Sequence, residues 1–147
     1  MPCPLSFARP RAGALCPSVE SYRPAMSHRM ADSPAVSAAV EALATGGVID
    51  PTVLRDAVRA LLTILRERAP GRSVEMRVPP YGAIQCVPGP RHTRGTPPNV
   101  VETDPVTFVQ LATGGLSWSA AMQAGRVRAS GVRADLSAYL PVWPDPR

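Results

Sequence analysis

Proline decides where this chain can build regular structure. It occurs 18 times in 147 residues, and each one fixes φ and removes an amide donor, so none fits inside a helix or a central strand. Three of them open helices, at Asp32-Ser33-Pro34, Asp50-Pro51 and Asp104-Pro105. In each, an acid or hydroxyl can accept from the free amides of a first turn, and proline takes a position whose amide would go unpaired. Others act as stops, at Pro70-Gly71, Pro79-Pro80 and Pro141. Rods and multi-domain machinery are excluded by the length, and no run of 18 apolar residues exists to span a membrane.

Between these marks the periodicity is clear. The first helix is predicted over residues 34–44, stopping at Thr45-Gly46-Gly47. The second, over 51–69, is the strongest, about 28 Å long. Leu54, Val58, Leu61, Leu62 and Leu65 make its apolar stripe, broadened by Val53, Ala57 and Ile64, with Arg55, Arg59, Thr63 and Arg66 opposite. From Arg72 the period falls to two, and Val74, Met76 and Val78 alternate with Ser73, Glu75 and Arg77. Residues 81–87 read as the next strand, apolar on both faces and therefore expected inside the sheet. A polar connection over 88–98 leads to a strand over 99–103. A helix from Asp104-Pro105 to Gly114-Gly115 follows, then a short one capped by Ser117, a strand over 126–130, and a helical turn or two over 134–140. Helices must cover the apolar face of such a sheet. The predicted fold class is α+β, in two layers with a mostly antiparallel sheet.

The charges give little support to a nucleic-acid surface. All 16 basic residues are arginine, against 11 acids. Arg9, Arg11, Arg23 and Arg29 face only Glu20 in the first thirty residues, so most of the excess lies there. Residues 1–31 carry five prolines, three methionines and no apolar run longer than Gly13-Ala14-Leu15-Cys16. A secretory signal needs about 7–15 apolar residues. This leader is expected to be a disordered extension, or to precede a true start at Met26 or Met30. Residues 32–141 are expected to form the single domain and 142–147 a flexible tail into which Trp143 can tuck. Cys3, Cys16 and Cys86 build no disulfide framework, and a cytoplasmic, reducing location is the simpler expectation.

A search for chemistry mostly comes back empty. There is no nucleotide loop, and neither His92 with Glu102 and Asp104 nor a Cys86–His92 dyad makes a convincing metal or thiol site. No cofactor, metal or catalytic residue is expected. The most distinctive segment is Pro90-Arg91-His92-Thr93-Arg94-Gly95-Thr96-Pro97-Pro98-Asn99. Arg91, His92, Thr93, Arg94 and Thr96 offer two guanidinium forks, an imidazole and two hydroxyls, donors suited to a carboxylate or phosphate. A solvated loop whose arginines pair with Glu75, Glu102 or Asp104 accounts for the same residues.

Asp104-Pro105-Val106-Thr107-Phe108-Val109-Gln110-Leu111-Ala112-Thr113-Gly114, followed by Ser119 through the bracketing glycines Gly125 and Gly131, resembles the sterol carrier protein 2 family. The segments from Arg77 to Cys86 and from Arg91 to Asp104 resemble an actinobacterial branch of it. The resemblance covers residues 35–140. It implies a mainly antiparallel five-stranded sheet with helices on one side and an apolar tunnel that binds a lipid, sterol or fatty acyl chain without covalent chemistry. The fifth strand would lie near Leu136 or within 77–81. Two departures are Met122, where a bulky aromatic is usual, and Val132, where an acid is usual. An apolar cavity would draw on Met76, Phe108, Leu111, Trp118 and Met122. The expected partner is a lipid or amphipathic small molecule, with no nucleic acid, at most transient membrane contact, and a monomer or weak dimer. The family's fold also serves as an accessory domain of mycothiol-dependent isomerases, so an interaction module without a ligand is the alternative.

Overall fold

The computed structural model describes residues 33–90, 95 and 99–143. The leader, Asp32 and the tail from residue 144 lie outside the described residues. Among the described residues eight elements follow in order: α1 (Pro34–Ala44), α2 (Pro51–Arg68), β1 (Val74–Val78), β2 (Gly82–Cys86), β3 (Val100–Thr103), α3 (Pro105–Thr113), α4 (Trp118–Gln123) and β4 (Val127–Ser130). The caps explain the helix starts. Asp50 accepts from the amides of Thr52 and Val53, Asp104 from that of Thr107, and Ser117 from that of Ala120. Ser33 stands at the N-cap of α1 without making such a bond.

The strands lie in the order β2-β1-β3-β4. β1 runs antiparallel to β2 and parallel to β3, and β3 runs antiparallel to β4. Among the described residues the sheet is therefore four-stranded and mixed, not five-stranded. Neither place expected for a fifth strand holds one: residues 79–81 form the hairpin turn and Leu136 precedes another turn. The parallel pair arises because β2 ends beside the start of β1, with Cys86 opposite Val74, and β3 begins at that same end on the other side of β1, with Val100 opposite Glu75. This also corrects the expected position of β2. It is an edge strand, and its face away from the helices carries the exposed Ala83 and Gln85. Apolar composition alone could not separate a strand flanked on two sides from one whose edge is protected by Pro79, Pro80, Pro88 and Pro90.

One sheet face is sealed by helices. α2 packs on β2 and against α1 and α3. Val74, Met76 and Val78 of β1, Cys86 of β2, Val101 and Thr103 of β3 and Val127 of β4 turn inward. Across the strands Ile84, Met76, Val101 and Ala129 fall in one row, buried in the middle and open at both ends. The opposite face presents Glu75, Arg77, Glu102 and Arg128, and Arg77 Nε donates to Glu75 Oε1.

The expected last helix over 134–140 is also corrected. Seven residues are too few to repay helix nucleation without strong packing, and Asp135 diverts the backbone by accepting from the Ser137 amide. That bond holds the Asp135 carboxyl below its ordinary range. Tyr139 N–H then closes a turn on Leu136 O. Leu136 nevertheless packs into the core, fully buried.

Candidate functional site

The polar connection between β2 and β3 begins at a crowded junction. Val87 is buried and holds a φ of +67°, which is costly for a β-branched residue. Its neighbours leave it little choice. Its N–H donates to Ala69 O at 2.7 Å, and its carbonyl accepts from Ser73 N at 3.2 Å and Ser73 Oγ at 2.9 Å. Gly71 lies so close beneath that a Cβ there would sit 2.0 Å from Val87 O. The chain is thereby turned out of β2 into Pro88-Gly89-Pro90.

The far end of the connection returns to the same place. Asn99, 5% exposed, donates from Nδ2 to Ser73 O at 2.8 Å, and its Oδ1 accepts from Arg133 N at 3.0 Å. Asn99 O accepts from Glu75 N at 2.9 Å, the first bond between β3 and β1. Ser73 Oγ also approaches Pro88 O at 3.2 Å. Both feet of the connection thus close on one buried serine. No buried side-chain polar atom among the described residues lacks a partner.

Arg91, His92, Thr93, Arg94 and Thr96 lie outside the described residues. Between them Gly95 is exposed, with a φ of +79°, a conformation that glycine adopts without the cost other residues bear. The residues expected around an apolar interior are dispersed by depth. Met76, Phe108 and Leu111 are fully buried in the single core cluster, and Trp118 packs on its margin. Met122 stands apart, 39% exposed, because the short α4 buries only Ala121.

Sequence reasoning does not join Ser73, Asn99, Gly89 and Arg133 into one site. An asparagine directly before a strand and after two prolines was the available signal, since its side chain can serve backbone groups that proline cannot. Its partners, 26 and 34 residues away, have no trace in the local pattern.

Cys86 adds no reactivity. It is unpaired and buried, and burial pushes its thiol up to about 11, so the thiolate a nucleophile needs is disfavoured at neutral pH. Among the described residues no group of three or more His, Cys, Asp or Glu side chains could hold a metal ion, and no helix is long and apolar enough to cross a membrane.

A comparison with curated proteins found no match. The model of the family described as bacterial SCP ortholog matches residues 50–142. That span runs from the Asp50 cap of α2, through the whole sheet and the junction at Ser73, to the buried Val142. By this match over most of its length, the chain belongs to the bacterial SCP-ortholog family.

Proposed function

We propose that this protein binds and carries a lipid, fatty acyl or other amphipathic small molecule without chemistry. The family match over the sheet and its helices carries the reading. The apolar body would enter between helices and sheet, near Met76, Phe108, Leu111, Trp118 and Met122. The acidic head would meet Arg91, Thr93, Arg94 and Thr96, on a connection whose two feet are fixed at Ser73. His92 would add positive charge when protonated. No cofactor is needed, the acting species is a monomer or weak dimer, and contact with a membrane is transient. A cytoplasmic setting suits the unpaired Cys86.

Two measurements test the reading. Native mass spectrometry of protein purified from its host should retain a lipid mass. A chain that retains none, and binds none when titrated, fits the accessory-module alternative instead. Calorimetric titration should then favour a free fatty acid over its methyl ester by roughly tenfold, since a charged hydrogen bond contributes about 1.5–3 kcal/mol. Arg94→Gln should remove most of that preference without altering ester binding, and the preference should be larger at pH 6 than at pH 8. Equal affinity for acid and ester in the unmodified protein would remove the head-group role.

A further inference from the structure

β4 is an edge of the sheet, bonded to β3 and to no other strand among the described residues. Which of its groups face outward follows from the register. Glu75 N–H donates to Asn99 O, so on β3 Asn99 and Val101 turn their main-chain groups to β1, while Val100 and Glu102 turn theirs to β4. Ser130 and Arg128 lie opposite those two and take up their bonds. The N–H and C=O of Val127 and Ala129 therefore point away from the sheet, and Ala129 is exposed.

The edge at β2 has prolines before and after it, a device that keeps strands from pairing. Residues 125–133 contain no proline, and the helix side of β4 bears only Val127 and Ala129. On the opposite face the signs alternate across the sheet. Arg77, Glu102 and Arg128 fall in one row, so the position beyond Arg128 calls for an acid, because opposite charges on neighbouring strands attract and like charges repel. Arg126, Arg128 and Arg133 give residues 125–133 three cations and no acid, and Arg128 makes no ion pair among the described residues. On the helix side the row of Ile84, Met76, Val101 and Ala129 ends at the exposed Ala129, where an apolar side chain would continue it. A second copy fits poorly. In every antiparallel register that pairs Val127 or Ala129 of one β4 with Val127 or Ala129 of another, the two Arg128 side chains lie opposite or diagonal. The first thirty residues, with four arginines against one acid, have the wrong sign as well.

We propose that β4 is a docking edge that accepts, as an added strand, an extended segment of a partner protein in which acidic and apolar residues alternate. An acid of that segment lies opposite Arg128, and the apolar residues beside it continue the row through Val101 and Ala129. Main-chain bonds at the edge supply the affinity and Arg128 supplies the selection. The contact leaves the apolar interior untouched, so it stands with or without a carried ligand.

The test uses the full chain and two blocked fluorescent peptides, one alternating valine with glutamate and the other valine with lysine. Binding is followed by polarisation, alongside thermal melting. The glutamate peptide should bind roughly fivefold tighter. Arg128→Gln should remove most of that preference and Arg128→Glu should reverse it, with the melting midpoint unchanged. Arg66→Gln, on the exposed side of α2, should keep it. Strand pairing is read on the glutamate peptide, with the protein intact. N-methylation of the amides along one peptide edge should weaken binding roughly tenfold, and along the other edge leave it within about twofold, because only one edge meets Ala129. Equal affinity for the two peptides, binding of neither, or an undiminished preference in Arg128→Gln overturns the inference. Equal tolerance of methylation on both edges overturns it too, by showing a contact made through side chains alone. Self-association of the chain that excludes the peptide would put a second copy on the edge, again against the proposal.

Discussion

Cys86 sits on the inner face of an edge strand, opposite Val74 of β1, where the sulfur is removed from water. Desolvation raises its pKa from an ordinary 9.0 to about 11. In the unfolded chain the same thiol ionises near 9, so between these values the unfolded state releases a proton that the folded state keeps. The contribution to stability is whole below about pH 9 and is lost as pH rises through about 11. The loss should be on the order of 2–3 kcal/mol. Urea midpoints collected from pH 8 to 11 should fall less steeply for Cys86→Ala than for the unmodified chain, whatever the constant cost of the missing sulfur. Parallel slopes would place the thiol in contact with water.

The element that organises the packing is α2. Its buried side chains, Ala57, Val58, Leu61, Leu62, Ile64 and Leu65, lie on a helix that meets α1, α3 and β2, so one stripe joins both layers. Leu61→Ala or Leu65→Ala should cost about 2–5 kcal/mol, as both are fully buried. Arg59→Ala should change stability by about 0.5 kcal/mol or less, since its bond to Tyr81 O is 3.4 Å long and exposed. Equilibrium urea denaturation of the three variants separates these outcomes, and equal midpoints would contradict the packing. This helix was legible in the sequence because cap, stripe and stop all coincide, and α1, α3 and α4 were legible for similar local reasons. The strands were legible as a period of two, which assigns faces but not neighbours. That is why β2 was expected inside the sheet and lies at its edge. Over 134–140 an apolar spacing compatible with a helix was overruled by one carboxylate at Asp135. Within the expected interior, Met76 and Leu111 follow from periodicity, whereas Met122 does not, because six residues of helix give too little surface to bury two faces. The junction at Ser73 and Asn99 joins residues far apart in sequence, and no local pattern encodes it.

At the scale of the whole molecule, the segment after Leu140 closes the fold across the ends of two helices. Val142 and Trp143 both donate their N–H groups to Ala112 O, at 2.8 and 2.9 Å, satisfying a carbonyl near the C-terminus of α3 that the helix itself leaves unpaired. Arg68, in the last turn of α2, donates to Pro141 O at 3.2 Å. Val142 is 1% exposed, and burying a valine side chain contributes about 1.5–3 kcal/mol. Ending the chain after Leu140 removes that burial and both bonds to Ala112, so the loss should be at least about 2 kcal/mol. Removing residues 1–30 instead should change stability by less than about 1 kcal/mol, because helix formation is expected to begin at the Ser33-Pro34 start. Urea midpoints of the two truncated chains and the full chain, measured at the same slope, decide the matter. A larger loss from the leader than from the C-terminal segment would mean that the leader packs on the domain. A negligible loss from the C-terminal truncation would mean that the contacts of Val142 and Trp143 with Ala112 do not hold the helical layer together.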